Sequence, residues 1–129
     1  MKPTIYLAGG FSDWRKHLIS KLSSQFILID PSVKEEGNTL TPKEYVNWDL
    51  HMIRQADMIL AYAERTNKSL IGLACEVGYA KGLGYKTIVT IIEPDNIFFN
   101  DKYLKFIEEM SDVNFKDLTS GINYLKNFK

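Results

Sequence analysis

The stretch Thr4-Ile5-Tyr6-Leu7-Ala8-Gly9-Gly10 decides the fold. A β-favouring apolar run ends directly in two glycines, the pattern of a buried strand opening into a tight turn. Beyond the turn, Trp14, Leu18, Ile19 and Leu22 share one helical stripe, and Ser12 is placed to cap that helix. Strand, glycine turn and amphipathic helix in this order begin a βαβ unit.

The same alternation continues along the chain. Phe26–Ile29 reads as a second strand, stopped by Asp30-Pro31, and Ser32–Leu40, with Gly37-Asn38, as a polar loop. Thr41-Pro42-Lys43-Glu44 starts a helix that runs to about Gln55, with Thr41 as N-cap, Pro42 in the first turn and Glu44 closing a capping box. Met58–Ala61 is a third strand and Glu64–Ser69 a second polar loop. Ile71–Leu83 is a helix whose end is punctuated by Gly82 and Gly84. Thr87–Ile92, β-branched almost throughout, is the strongest strand. Pro94–Asn100 is a loop, Asp101–Met110 a helix and Leu118–Asn127 a terminal helix. This order predicts one α/β domain over residues 1–129, with a parallel sheet covered on both faces. The unbroken apolar runs Phe26–Ile29 and Met58–Ala61 suit buried parallel strands. Ligands in such a sheet sit beyond the carboxyl ends of the strands, which directs the search to Ala8–Ser12, Asp30 onward, Ala61–Ile71 and Ile92 onward.

The chain has 129 residues, 45% hydrophobic and 25% charged, enough for one ordinary core without disulfides or metal. Sixteen Lys and Arg balance sixteen Asp and Glu. That argues against a nucleic-acid-polymer binder or a polybasic membrane anchor. The single cysteine, Cys75, excludes an internal disulfide and fits a reducing compartment. Met1 to Ala8 is too short for a signal peptide, and no apolar run approaches the roughly 20 residues of a membrane span. The expected setting is cytoplasmic. His17 and His51 are too few for a metal site, and no cofactor is expected. The dinucleotide fingerprint fails after Gly9-Gly10, because Phe11, Ser12 and Asp13 stand where a third glycine is needed.

Two carboxylates carry the chemical argument. Asp49 shares its helical face with Tyr45, Met52 and Ile53, and Trp48 lies beside that stripe. A carboxylate on an apolar face needs a partner, such as His17, Arg54 or a backbone amide, or serves as an acid in a pocket. Glu76 sits among Gly72, Leu73, Tyr79 and Ala80 in a helix crowded with small residues, which allow tight packing on the sheet or close approach of a ligand. Its place in the first turns favours the ionised form, and a positioned carboxylate suits nucleophilic attack; a dipole-complementing surface glutamate is the plainer alternative. Together they suggest glycosidic cleavage, one acid attacking the sugar and the other handling protons. Tyr6 is either a strand tyrosine of the core or the phenol that holds Glu76. Phe11 and Trp48 are core aromatics or stacking surfaces for a base. Ser69 either binds a hydroxyl or phosphate or caps the helix. Cys75 neighbours Glu76 but faces about 100° around the helix. Lys102–Glu109 is read as a solvated helix face.

These residues resemble a known family. Ile5-Tyr6-Leu7-Ala8-Gly9-Gly10-Phe11, then Asn47-Trp48-Asp49-Leu50 with Ala56-Asp57, then Gly72-Leu73-Ala74-Cys75-Glu76-Val77-Gly78-Tyr79-Ala80 are similar, in order and spacing, to the nucleoside 2-deoxyribosyltransferases. The resemblance covers about three-quarters of the chain and weakens over the last thirty residues. It implies a flavodoxin-like, doubly wound sheet of about five strands, and cleavage of the N-glycosidic bond of a 2′-deoxynucleoside. It places Glu76 on the family's nucleophile, Asp49 on the carboxylate that manages the base's proton, Tyr6 on the tyrosine that positions the nucleophile and Phe11 on an aromatic of the base pocket. Asp57 is left as structural. It also implies a homo-oligomer with sites completed by a neighbouring subunit.

The departures bear on the reaction. Transferases often carry an acid six positions before the nucleophile, where this chain has Leu70. A related branch of 5′-monophosphate N-glycosidases places a serine there, and Ser69 is one residue out of register. That branch also has an arginine after the first glycines, where this chain has Ser12 and, further on, Arg15. Base exchange is the preferred expectation. Hydrolysis of a deoxynucleoside or its 5′-monophosphate, a nicotinamide-glycoside-cleaving enzyme, and a non-catalytic nucleotide-binding module are the alternatives.

Overall fold

The structure is a computed structural model that describes residues 1–35, 40–84 and 86–128. Five strands, β1 (Thr4–Gly9), β2 (Ile27–Ile29), β3 (Met58–Ala63), β4 (Thr87–Ile92) and β5 (Val113–Phe115), form one sheet in the order β2-β1-β3-β4-β5. Every pairing is parallel. The helices are α1 (Trp14–Leu22), α2 (Ser32–Glu35), α3 (Pro42–Gln55), α4 (Ile71–Leu83), α5 (Asp101–Met110) and α6 (Leu118–Lys126). This strand order is the flavodoxin-like, doubly wound one, and its direction reverses between β1 and β3.

Strand alternation sorts the core into two layers. Ile5 and Leu7 of β1 and Met58, Leu60 and Tyr62 of β3 face Trp14, Leu18 and Leu22 of α1 and Ile122 and Leu125 of α6. Tyr6, Ala8, Ile59 and Ala61 face Ile53 of α3, Leu73 and Val77 of α4, and Leu104 and Ile107 of α5. Each large side chain removed from water in this way contributes roughly 1.5–3 kcal/mol. The alternation matters for the site, because it turns Tyr6 towards the helix that carries Glu76.

Several local expectations hold for the reasons given. Thr41 and Glu44 form a reciprocal capping box at the start of α3, with Pro42 in its first turn. Gly84 ends α4 in the left-handed conformation, φ +80°. Asp57 is structural: its Oδ2 accepts the Thr4 amide at 2.8 Å.

Others are corrected. Ser12 does not cap α1. Its hydroxyl donates to Glu64 Oε1 at 2.8 Å, and Asp13 takes the N-cap position without a side-chain bond. β2 is an edge strand with Ile27 exposed, so its apolar run does not report burial on both faces. Ser32–Leu40 is not all loop, since Ser32–Glu35 makes one helical turn stabilised by Asp30, which accepts the Ser32 amide at 2.9 Å. The Gly37-Asn38 turn lies outside the described residues. β5 carries no recognisable run because it is three residues long, half-buried and centred on Asn114. The small residues of α4 divide: Ala80 is fully buried in the core layer with Ala74 packed against it, whereas the glycines do not serve close packing on the sheet. A Cβ at Gly72, Gly78 or Gly82 would meet no described atom within 4 Å.

Candidate active site

A cavity of about 920 Å³ opens at the carboxyl end of the sheet, at the β1/β3 reversal. All four of the chain segments that the topology singles out contribute: Gly9 at the end of β1 with Gly10 and Phe11 after it, Pro31 after β2, Thr66 to Ser69 after β3 and Phe98 after β4. Helix α3 adds Tyr45, Val46, Asp49 and Leu50, and α4 adds Gly72, Leu73, Cys75 and Glu76.

Glu76 stands in the second turn of α4, half-buried at the cavity wall. The Tyr6 hydroxyl donates to its Oε2. Tyr6 itself is fully buried, so the two readings of this tyrosine merge: it is a core residue whose one polar atom meets the glutamate. Asp49 is 8% exposed and lines the same cavity from α3. The helical period places Tyr45, one turn earlier, on that wall as well.

The glycine turn is shaped from two sides. Gly9 has φ +151°, and a Cβ there would lie 2.7 Å from the Tyr62 carbonyl oxygen and 2.9 Å from the Trp14 ring. Only glycine fits, on account of the protein's own neighbours. At Gly10 a Cβ would meet the Asn67 amide group at 3.1 Å. Arg15 lies beneath this turn, 2% exposed, and also reaches the cavity.

Of the remaining candidates, Phe11 is exposed at the cavity, and Gly72 leaves open space in its wall. Ser69 lines the cavity. Its amide donates to Asn67 Oδ1 at 2.8 Å, while Leu70 takes the N-cap position of α4 without a side-chain bond, so Ser69 is not the helix cap. Trp48 does not join the others. It is half-buried on α3, outside the cavity lining. Cys75, about 100° around the helix from Glu76, is exposed and also lines the cavity. The wall is broad enough to include residues 100° apart on α4.

Sequence reasoning named Arg15 only as the nearest arginine after the first glycines, without a place in the site, and it missed Phe98. Nothing marks Phe98 except its place in the loop after β4. That loop is pinned by Asn96, whose Nδ2 donates to the carbonyls of Glu64 and Asn67, each at 3.1 Å, and whose Oδ1 accepts the Phe98 and Phe99 amides. Behind the cavity, the Tyr62 hydroxyl donates to Glu93 Oε2 at 2.9 Å. Burial first, and then that carboxylate, hold the phenol well above its ordinary range. Among the described residues, no group of three His, Cys, Asp or Glu side chains is arranged to hold a metal ion. No helix among them is long and apolar enough to cross a membrane.

A parallel sheet of this order with a two-carboxylate cavity at its switch point defines a class of α/β proteins that bind small molecules at strand ends. The profile of the family described as "nucleoside 2-deoxyribosyltransferase like" matches residues 2–94, and the chain belongs to that family. Solved structures agree on the fold. A 2-deoxyribosyltransferase from Leishmania mexicana is 21% identical with TM-score 0.72, covering 98% of this chain and 99% of its own. A 2-deoxyribosyltransferase from Bacillus psychrosaccharolyticus is 20% identical with TM-score 0.72, covering 98% and 92%. A CMP N-glycosidase from Clostridium botulinum is 16% identical with TM-score 0.65, covering 95% and 97%. No curated protein matches the sequence significantly.

Proposed function

We propose that the protein cleaves the N-glycosidic bond of 2′-deoxynucleosides through a covalent ester on Glu76 and transfers the deoxyribosyl group to another nucleobase. The observation that carries this reading is that Glu76, held by the Tyr6 hydroxyl, and Asp49 line one cavity. In the first half-reaction a Glu76 carboxylate oxygen bonds to C1′ and the C1′–N bond breaks. Its electron pair leaves with the base, which takes a proton from Asp49. In the second, a nitrogen of the incoming base bonds to C1′, the ester C–O bond breaks, and Asp49 recovers a proton. Tyr6 orients the carboxylate. Phe11 offers a ring to the substrate, while Gly9, Gly10, Ser69 and Gly72 form the walls around it.

Trp48 has no part in this assignment, since it stands outside the lining. The reading includes a homo-oligomer. Phe98, exposed at the cavity, and the neighbouring exposed Ile97 are apolar surface that a second subunit would cover. The exposed free thiol of Cys75 supports a reducing, cytoplasmic setting.

The test is incubation with deoxyinosine, deoxycytidine and their 5′-monophosphates, with and without free adenine, followed by chromatography of the bases. Base released only when adenine is present is the expected result. Release without an acceptor makes the enzyme a hydrolase that shares the Glu76 step. Binding without turnover of any substrate contradicts the reading and leaves a nucleotide-binding module.

A further inference from the structure

We infer that Arg15 is a positioning residue, which clamps the glycine turn so that the Phe11 ring stands correctly against the substrate; this rests on the reading above. Arginine is seldom fully buried unless its donors are matched. Here the guanidinium is matched by one short segment of backbone. Its Nε and Nη2 donate to the Leu7 carbonyl at 3.2 and 3.0 Å, Nη2 to the Gly9 carbonyl at 3.0 Å and Nη1 to the Gly10 carbonyl at 2.6 Å. Asp30 Oδ1 stands 3.5 Å from Nε and balances the charge.

Three observations turn this from a packing detail into a device. First, Arg15 is in the opening turn of α1, where the helix dipole disfavours a cation. Helix stability does not explain the residue, whereas the carbonyls of residues 7, 9 and 10 do. Second, the Gly10 carbonyl is held twice, since Trp14 Nε1 also donates to it at 2.9 Å. The peptide group is planar and trans, so fixing this carbonyl fixes the amide of Phe11 and the direction in which residue 11 leaves the turn. Third, the guanidinium carbon lies 5.4 Å from the centre of the Phe11 ring and 4.6 Å from the Trp14 ring. The same group therefore holds the backbone on both sides of Gly9 and contacts the side chain that the turn presents. A lysine keeps the charge but lacks the planar fork that reaches several carbonyls at once.

The experiment is a double-mutant cycle on kcat and KM for whichever 2′-deoxynucleoside the parent turns over, using Arg15→Lys, Phe11→Leu and both together, with thermal unfolding of each. Arg15→Lys is expected to unfold cooperatively and to raise KM by about three- to tenfold, with a smaller fall in kcat. In the Phe11→Leu background the same change is expected to move KM by less than about twofold. An equal KM effect in both backgrounds overturns the positioning role, as does an unchanged KM beside a lowered melting temperature. If Arg15→Lys does not fold, Trp14→Phe removes the second donor to the Gly10 carbonyl and takes its place in the cycle; the same KM pattern supports the inference and an unchanged KM overturns it. A parent that turns over no deoxynucleoside overturns the functional reading and this inference with it. An active parent with an unaltered KM in the variants overturns this inference alone.

Discussion

The Tyr6 hydroxyl donates to Glu76 Oε2 across 70 positions of chain, from a fully buried strand residue to a half-buried helix residue at the cavity wall. The bond holds one carboxylate oxygen while the strand holds the phenol. Tyr6→Phe keeps the ring in the core and removes only the donor. Expected are a kcat lower by roughly one to two orders of magnitude, with KM changed far less, and a loss of about 1–2 kcal/mol of stability. Steady-state kinetics and denaturant unfolding check the two halves separately.

Asp49→Asn keeps size and polarity while removing the titratable proton. If Asp49 manages the proton of the departing base, kcat falls by about 10²- to 10⁴-fold. The loss is expected to differ between bases, and the limb of the pH–rate profile that belongs to Asp49 is expected to disappear. Profiles measured with deoxyinosine and deoxycytidine provide the check.

Gly72→Ala separates stability from binding. A methyl there meets no described atom, so the helix gains by roughly 0.5–1 kcal/mol. The same methyl projects where Gly72 lines the cavity, so KM is expected to rise. A higher melting temperature together with weaker substrate binding is the predicted pair of results.

Much of the frame behind these predictions was legible. β1 and its glycines, the Thr41 capping box and the bounds of α4 follow from local chemistry that tertiary structure had no reason to override. The strand-end rule then pointed to the loops that form the cavity. What was not legible depends on distant partners. Ser12 has good capping chemistry, but Glu64, 52 residues away, takes its hydroxyl. Arg15 stands in the sequence only as an arginine a few residues beyond the first glycines, and its buried place shows once β1 is seen to turn its carbonyls towards it. β5 is too short and too polar at its centre to carry a pattern, and only pairing with β4 makes it a strand.

Thr41→Ala tests the capping box, with an expected cost of about 1 kcal/mol. The box also has a pH signature. The Thr41 amide and hydroxyl hold the Glu44 carboxyl below its ordinary value of 4.5, the backbone bond acting most strongly. The folded value is lower than the unfolded one, so the stabilisation is present above pH 4.5 and is lost as pH falls through the folded value. Asp117, lowered by the Ser120 amide and hydroxyl at the start of α6, behaves in the same way. Unfolding curves are expected to show that the parent loses more stability on acidification than Thr41→Ala does.

The central claim is a bond between Glu76 and C1′. Acid quenching during turnover, proteolysis and mass spectrometry should find one deoxyribosyl group on the peptide that contains Glu76, and none in Glu76→Ala, which is expected to fold but not to turn over. An adduct on another residue, or turnover by Glu76→Ala at the parent rate, would contradict the account.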